Sequence, residues 1–359
     1  MQPPGPPPPE LGAYRLLTLL GKGGMGEVYL ALDTRLERKV AIKFLSASSR
    51  DDERAAKRLL REAQAAATLD HPNICAIYEI GEQDGRSFIV MQYIDGETLA
   101  DILKRKRLDV QEVLGAAVQI ADALADAHAH HMIHRDIKPA NIIIDSRGQA
   151  KVLDFGLAKR LPAPTRDDDD AATVSVLSTP GIVVGTMPYM SPEQVRGETL
   201  DAGTDIFSFG VMLYEALTGQ QPFSRRSTPE ILSAILTHDP PPLSAIAPDT
   251  PPALQRIVER CLVKDRARRY QTAAEVRDDL RVLQGSLRDS QASGAIPRRP
   301  PLLKRRWRSA VLGLLLAVLV AGGGGWLYWR AAGRSWARES IRQVEAISQR
   351  EDFFAAYDL

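Results

Sequence analysis

The sequence predicts an α+β chain with a small strand-rich lobe, a larger helical lobe and a single transmembrane helix behind them. Strand-like apolar runs with one helix occupy residues 14–95, and amphipathic helical patterns begin near residue 97. The stretch Ser309–Trp329 contains 21 residues without a charge. A length of 359 residues, with 44% hydrophobic and 25% charged residues, excludes a wholly disordered or collagen-like chain.

The charge balance and the cysteine count exclude further classes of protein. The net charge is +1, from 46 basic and 45 acidic side chains, so we expect no nucleic-acid partner. Cys75 and Cys261 lie far apart without a Cys-x-x-Cys spacing. This disfavours a zinc site or a disulfide scaffold and suits a reducing compartment.

The first lobe is predicted to follow an unpacked tail. Six of the first ten residues are proline, so we expect a polyproline-like tail over residues 1–12, without the features of a signal peptide. Strong helix formers predict a helix at Arg54–Leu69. Apolar runs predict strands at Tyr14–Leu20, Glu27–Ala31, Lys39–Phe44 and Phe88–Tyr93.

The second lobe is predicted to be mostly helical. Apolar residues between Val110 and Ala127 recur on one face of a helix. The runs Asn141–Ile144 and Ala150–Leu153, separated by Ser-Arg-Gly-Gln, predict a hairpin. Further helices are predicted over 205–218, 228–237, 253–262 and 272–284, separated by proline-rich loops.

The last part of the sequence predicts a membrane anchor. Residues 285–308 form a polar linker that ends in a basic run, and we expect that run to lie on anionic headgroups. The uncharged stretch 309–329, at about 1.5 Å per residue, reaches roughly 30 Å and can cross a bilayer. A buried helix is the alternative. Residues 330–359 are a short extracytoplasmic segment, either truncated or complete.

A glycine cluster near the start of the first lobe fits the pattern G-x-G-x-x-G-x-V over residues 21–28. Glycines let a tight turn bring backbone N–H groups over phosphates without a Cβ clash. A glycine-rich hairpin without a ligand explains the pattern equally well. A dinucleotide fold is disfavoured because the cluster leads into a strand and not a helix.

Lys43 ends the apolar run Val40-Ala41-Ile42-Lys43, about 20 residues after the glycines. An inward lysine on an apolar strand is costly unless an anion pairs with it. Glu62 on the following helix, or phosphate oxygens, can be that anion. A snorkelling surface lysine is the alternative.

The run His134-Arg135-Asp136-Ile137-Lys138-Pro139-Ala140-Asn141 is far more specific. It places a carboxylate, an ammonium and an amide within six residues, and Asp154-Phe155-Gly156 follows the predicted hairpin. An Asn and an Asp from neighbouring segments supply the hard oxygen ligands that Mg²⁺ prefers together with substrate phosphates.

With these motifs in this order, the chain resembles the eukaryotic-like (Hanks-type) protein kinases and is similar to the bacterial transmembrane serine/threonine kinases. The resemblance runs from about Tyr14 to Leu283. It implies a bilobal protein-kinase fold over 13–284, with lobes at 13–94 and 95–284. The implied activity is transfer of the γ-phosphoryl group of ATP, with Mg or Mn, to protein Ser/Thr hydroxyls.

The resemblance also implies a role for each motif residue. Asp136 orients the substrate hydroxyl and accepts its proton, and Lys138 neutralises the transferring phosphoryl group. Asn141 and Asp154 hold the metal. The implied ATP site comprises Leu20, Gly21, Lys22, Gly23, Gly24, Met25, Gly26, Glu27, Val28, Ala41, Lys43, Glu62, Met91, Gln92 and Ile94.

The segment that joins the lobes carries the adenine contacts of this set. Met91 is the implied gatekeeper, and backbone groups of Gln92 and Ile94 pair with adenine. Many relatives have an acid at the position of Gln92. Because the contact is mainly through the backbone, we expect ATP binding to survive.

Further residues have implied structural roles. Thr186 lies at the substrate-docking end of the activation segment, where the usual Ala-Pro-Glu reads Ser-Pro-Glu. Glu193 pairs with Arg269, and Asp205 holds the backbone of the catalytic loop. Lys138, together with the Gly-Thr that ends at residue 186, points to serine or threonine as acceptor.

The long segment between Gly156 and Gly185 contains an acidic run at 167–170 and several hydroxyls. Arg135 can bind a phosphate placed there, so we expect activating autophosphorylation. The acidic run is expected to be a solvated insertion. The candidate phosphosites are Thr173, Ser175, Ser178 and Thr179, with Thr179 favoured.

Three other classes remain as alternatives. A nucleotide-binding pseudokinase scaffold is disfavoured because every catalytic motif residue is present. A small-molecule kinase is disfavoured by the complete activation segment. A metal cluster at the four histidines within 128–134 is disfavoured because their spacing lacks an acid-supported i, i+4 pair.

ATP chemistry, more than charge counting, sets the expected location. We expect the kinase domain in the cytoplasm of a cell whose inner (plasma) membrane holds the single span. Protein substrates and the membrane are the expected partners, together with a second copy of the chain as a homodimer.

Overall fold

The computed structural model describes residues 10–23, 26–45, 60–83, 85–155 and 187–292. The chain divides into two units, residues 1–289 and 290–359, and the candidate site lies in the first.

The first lobe is built on a six-stranded antiparallel sheet. Its strands lie in the order β1-β2-β3-β4-β6-β5, and neighbours are antiparallel throughout. The strands are β1 (Glu10–Leu11), β2 (Tyr14–Gly23), β3 (Gly26–Asp33), β4 (Arg38–Leu45), β5 (Ile77–Gln83) and β6 (Arg86–Gln92).

Side chains of β4 alternate between two faces of this sheet, as a pleated strand requires. Val40, Ile42 and Phe44 pack into one apolar cluster, whereas Ala41 and Leu45 belong to a second. The second cluster includes residues of α1, a helix described over residues 60–66. Lys43 shares the face of Ala41 and Leu45 and is therefore directed to the α1 side of the sheet.

The second lobe surrounds a buried helix, α5. Nearly all of its residues are buried, and Gly210 lies where a Cβ would meet Cys261 at 2.6 Å, so the facing helix can approach closely. The helices are α2 (Leu99–Arg105), α3 (Val110–Ala129), α4 (Pro192–Val195), α5 (Ala202–Thr218), α6 (Thr228–Thr237), α7 (Leu243–Ile246), α8 (Pro252–Cys261) and α9 (Ala273–Ala292).

A small antiparallel sheet in the second lobe carries the segments of the candidate site. It has the order β7-β8-β9, with β7 at Gly96–Thr98, β8 at Ile142–Asp145 and β9 at Ala150–Val152. The predicted hairpin is therefore present. The catalytic-loop motif precedes β8, and Asp154 follows β9.

Two described elements extend past the predicted boundaries of the kinase-like domain. Leu11, placed in the tail, is buried on β1, because Glu10 and Leu11 pair with Arg15 and Tyr14. Helix α9 continues to residue 292 inside the predicted linker, because Leu287 still packs on the core of the second lobe. Strand β5 was not predicted, since its apolar residues do not alternate clearly.

Several predicted features lie outside the described residues. These are most of the tail, the first residues of the predicted 54–69 helix, the linker beyond 292, the apolar stretch and the segment after it. Among the described helices, none is long and apolar enough to span a membrane.

Candidate active site

The glycine-rich turn joins β2 to β3, with Gly21 opposite Val28 and Gly23 opposite Gly26. Gly26 has a φ of +131°, and a Cβ there would overlap the backbone carbonyl of Phe44. Only glycine therefore fits at this position.

Across the same hairpin, Lys22 Nζ lies 2.9 Å from Glu27 Oε1. This exposed ion pair joins the two strands next to the turn. Leu20 is about half exposed on β2. Gly24 and Met25 lie outside the described residues.

Lys43 is buried, with 5% of its surface exposed, and its Nζ lies 2.8 Å from Asp154 Oδ2. Burial alone would raise the pKa of the Asp154 carboxyl, but the charge and hydrogen bond of Lys43 outweigh it and hold that pKa below its ordinary value. Asp154 is therefore a carboxylate in the site. Its φ of 55° places it in the left-handed region, at the junction where the chain turns into Phe155.

The catalytic-loop motif folds back on the carboxylate of Asp136. Oδ2 of Asp136 accepts hydrogen bonds from Lys138 Nζ at 2.7 Å and Asn141 Nδ2 at 3.0 Å. The Asn141 amide also donates to the Asp136 carbonyl at 2.7 Å. Oδ1 of Asp136 is buried and, within the described residues, accepts no hydrogen bond. A buried carboxylate oxygen left in this state is poised to accept a hydrogen bond from a substrate.

Asp205 holds the backbone of this loop from helix α5. Its carboxylate accepts from the N–H groups of His134 and Arg135 at 2.8 and 2.7 Å, and it pairs with His128 Nε2 at 2.8 Å. Burial would raise the pKa of Asp205, but the His128 hydrogen bond and the nearby imidazoles outweigh it, so the pKa lies below its ordinary value. Arg135 needs this support because its φ of 68° is unfavourable for a residue with a Cβ.

The metal-binding candidates are tied together through the backbone. The N–H of Leu153 donates to the carbonyl of Asn141 at 2.9 Å, directly before Asp154. The Nε2–H group of His134 donates to the Leu153 carbonyl, 2.7 Å away, and the ring lies edge-on to Phe155 at 4.7 Å between centroids. Asn141 and Asp154 are therefore held on adjoining segments.

The segment between the lobes is held mainly by its backbone. Met91 is buried opposite Ala41, and the N–H of Gln92 donates to the Ala76 carbonyl at 2.8 Å. Ile94 is partly buried in the second cluster of the first lobe.

One predicted pairing is replaced by two others. Glu62 was expected to fix Lys43, but Glu62 Oε1 lies 3.6 Å from Arg135 NH1, and Lys43 is bound to Asp154. Lys43 thus meets a different carboxylate from the predicted one, and Glu62 pairs with Arg135, for which no carboxylate partner was predicted. The Lys43 amine pairs with Asp154 because the segment after β9 brings that carboxylate within 2.8 Å of it.

The predicted structural ion pair is present in the second lobe. Arg269 NH1 lies 2.8 Å from Glu193 Oε1, and both side chains are almost fully buried. Burial would raise the pKa of Glu193, but the hydrogen bonds and charge of Arg269 hold it below its ordinary value.

Two contacts near the site were not predicted. Gln194 Nε2 donates to the carbonyl of Arg135 at 2.8 Å, which joins α4 to the catalytic loop. Ser191 and Gln194 form a capping box, which the spacing S-x-x-Q signals, but the second contact of the amide has no local signal. Lys151 Nζ donates to Gln92 Oε1 at 3.0 Å, linking β9 to the segment between the lobes.

Some candidate residues lie outside the described residues. They are Thr186 and the hydroxyls Thr173, Ser175, Ser178 and Thr179. Among the residues that the structure describes, no group of three His, Cys, Asp or Glu side chains is placed to hold a metal.

Comparison with known proteins shows the family of the chain. A family profile described as "Protein kinase domain" matches residues 14–279. The serine/threonine-protein kinase PknB of Mycolicibacterium smegmatis is 42% identical over 283 residues, which cover 77% of this chain and 44% of PknB. The serine/threonine-protein kinase PrkC of Bacillus subtilis is 39% identical over 271 residues, 75% of this chain and 40% of PrkC. This chain thus spans less than half of either relative.

A solved structure shares the fold. The crystal structure of the Mycobacterium tuberculosis PknI kinase domain superposes with a TM-score of 0.59 at 28% identity. The match covers 76% of this chain and 97% of the PknI domain.

Proposed function

Because the chain belongs to the protein kinase family, we propose that it is a serine/threonine protein kinase that transfers the γ-phosphoryl group of ATP to protein hydroxyls. The observation that carries this proposal is the Asp136 carboxylate. One of its oxygens is held by Lys138 and Asn141, and the other is buried without a partner among the described residues.

This arrangement supplies the base and the cation that phosphoryl transfer needs. The acceptor hydroxyl donates to Oδ1 of Asp136, and its oxygen forms a bond to the γ-phosphorus as the bond to the β-phosphate oxygen breaks. The hydroxyl proton passes to Asp136, and ADP leaves with the electron pair. Negative charge spreads over the phosphoryl oxygens in the transition state, and Lys138 is placed to neutralise it.

The donor set also fits a divalent metal. Asn141 and Asp154 would hold it, since an amide oxygen and a carboxylate are hard ligands on adjoining segments. We infer Mg²⁺, with Mn²⁺ as a substitute. The metal would supply charge neutralisation for the ATP phosphates.

Lys43 serves the ATP phosphates in this proposal. It is buried, and its partner Asp154 is also a metal ligand candidate. The glycine-rich turn covers the phosphates from above, and the backbone of residues 92–94 binds adenine. The Gln92 carbonyl accepts a weak hydrogen bond from Cys75 Sγ at 3.5 Å, and the Gln92 N–H donates to the Ala76 carbonyl.

Activation involves Arg135. Its Nε is buried and has no hydrogen-bond partner in the described part of the chain, and its NH1 has Glu62 at the long distance of 3.6 Å. A phosphate on the activation segment, with Thr179 favoured, would be a stronger anion for this guanidinium. Glu62 would then be released towards Lys43.

The rest of the chain anchors this domain. We infer that residues 309–329 cross the inner membrane once, with the kinase domain on the cytoplasmic side where ATP is found. We propose the division into tail, kinase domain, linker, span and short distal segment from the sequence. The first lobe then includes β1, and α9 continues to residue 292. Trans-phosphorylation between two copies fits a membrane-anchored kinase, and nothing in the charge balance points to a nucleic-acid partner.

The test is autophosphorylation of the full chain with Mg and labelled ATP, beside Asp136→Asn. Phosphoserine or phosphothreonine in the parent, and none in the variant, is the expected result, because the variant cannot take the hydroxyl proton. ATP binding without label in either protein would support the pseudokinase scaffold instead. Label in Asp136→Asn at the parent's rate would refute the assigned base.

A further inference from the structure

Two adjacent arginines stand exposed in the loop between α5 and α6. The Arg225 guanidinium donates to the carbonyl of Ser224 at 2.6 Å. Within the described residues, neither Arg225 nor Arg226 has a carboxylate within the 4.0 Å of an ion pair. No carboxylate of the described part of the chain therefore neutralises the two positive charges of this loop.

The basic run at residues 104–107 of the second lobe is arranged differently. Lys104 lies 2.9 Å from Asp101, and Arg105 lies 3.0 Å from Glu97. The next residue, Lys106, has a carboxylate at 2.7 Å. Lys104, Arg105 and Lys106 are thus each beside a carboxylate of their own lobe, although their side chains are exposed as well. Basic sequence alone therefore does not distinguish the two runs, whereas their neighbours do.

The arginine pair lies next to the segment that leads to the acceptor site. Gln221, four residues before Arg225, donates from Nε2 to Tyr189 OH at 2.9 Å. Helix α6, which begins two residues after Arg226, packs on residues 187–195. Gln194 of that segment touches the Arg135 carbonyl, directly before the base Asp136. These contacts link the loop that carries the arginine pair, through residues 187–195, to the residue before Asp136.

The sequence itself contains a segment of complementary charge. Asp167–Asp170 precede the hydroxyls Thr173, Ser175 and Ser178 by three to eleven residues. Because of its charge, this run cannot contribute to a core, and the catalytic chemistry does not use it.

We propose that Arg225 and Arg226 bind an acidic stretch on the acceptor polypeptide, and that the 167–170 run of a second copy of this chain is such a stretch. The inference rests on the proposed kinase activity and adds the substrate class to it. The arginines are positioning residues: they raise the occupancy of acidic acceptors and take no part in the transfer. Exposed charge pairs of this kind act mainly on encounter and binding, and salt weakens them.

The experiment measures steady-state phosphorylation of two peptides by the full chain. One peptide has the sequence of residues 166–180, and the other has all four aspartates replaced by asparagine. We expect the KM for the acidic peptide to be about fivefold lower at low salt, and this advantage to fall towards one at about 0.5 M salt. In R225A/R226A the two peptides should have equal KM values.

The matched control is K104A/R105A, which removes the same charge from the neutralised run. It should retain the preference for the acidic peptide. A charge swap gives the second test: R225E/R226E should prefer a peptide in which the four aspartates are lysines. A merely structural role of the loop would not produce that reversal.

Equal KM values for the two peptides with the parent enzyme, or an undiminished preference in R225A/R226A, would overturn the inference. Failure of the parent to phosphorylate either peptide or a general acceptor protein would instead count against the proposed kinase activity. Loss of preference in K104A/R105A as well would show a diffuse effect of net charge and overturn the assignment to the arginine pair.

Discussion

Replacing Arg269 by lysine should strongly destabilise the second lobe, although the charge is kept. The guanidinium uses all five of its N–H donors. Nε binds the Val263 carbonyl, NH1 binds Glu193 and the Gly203 carbonyl, and NH2 binds Glu193 and the Lys264 carbonyl. All of these contacts are buried or partly buried, so few can be replaced by water.

The magnitude follows from this count. An ammonium group has three donors, so at least two of the five acceptor contacts are lost in Arg269→Lys. An unsatisfied buried acceptor costs about 1–3 kcal/mol, and two of them cost about 2–6 kcal/mol. Domains of this kind have about 5–15 kcal/mol of stability in total, so the variant should still fold but unfold at much lower urea concentration.

The assay is equilibrium urea unfolding of the full chain followed by far-UV circular dichroism. Tryptophan fluorescence is unsuitable because all four tryptophans lie between residues 307 and 336. Arg256→Lys is the control, since Arg256 is exposed on α8 and should change the stability by less than about 0.5 kcal/mol. A loss below about 1 kcal/mol in Arg269→Lys would refute the reasoning from donor number.

The difference between parent and Arg269→Lys should also depend on pH. The Glu193 pKa lies below its ordinary value of 4.5 in the folded protein. The stability that its ionised form contributes is therefore present above about pH 4.5 and is lost as the pH falls further. The two proteins should converge in stability on the acid side, and a difference that grows there would contradict the assignment.

Three further changes test other parts of the fold. Asp205→Asn should reduce the loss of stability at low pH. The pKa of Asp205 lies below its ordinary value of 3.8, so its carboxylate contributes stability that is lost as the pH falls below that value. An unchanged loss of stability in an acid titration of the variant would argue against this. His131→Gly should raise the unfolding free energy by about 1 kcal/mol because His131 has a φ of 58°, whereas His131→Ala should bring no gain in the same urea assay. Gln92→Glu should stabilise by about 0.5–1 kcal/mol, because the half-buried Lys151 amine, whose pKa burial now lowers, gains a carboxylate partner; a loss of stability would show that the segment between the lobes cannot accept the charge.

Much of the fold follows from local sequence signals. The helix predicted over 228–237 has those bounds, and the apolar face predicted from Val110 to Ala127 is buried in α3. These elements bury one face each, so their periodicity is visible in the sequence. Leu11 and β5 were missed for the opposite reason. A two-residue strand has no period, and β5 gains its order from pairing with β6.

In the candidate site, too, contacts between residues close in the sequence could be predicted, whereas contacts between distant residues could not. Asp136, Lys138 and Asn141 lie within six residues of one another, so their mutual hydrogen bonds are local and the motif predicts them. Gln194 and Arg135 are 59 residues apart, and no local pattern relates a capping glutamine to a distant carbonyl.

The sequence by itself predicted which residues carry the chemistry, because the motifs place charged and polar groups at short spacings that few folds require. It also indicated the family and most of the helical and strand segments, and the family resemblance implied the pairing of Glu193 with Arg269 that the structure shows. The tertiary structure decided which anion each cation meets. Lys43 binds Asp154, 111 residues away, and Arg135 binds Glu62, because packing sets the distances between segments that the sequence leaves far apart. It also decided that Lys104, Arg105 and Lys106 meet carboxylates while, among the described residues, Arg225 and Arg226 meet none, since charge compensation depends on which acids the fold brings alongside.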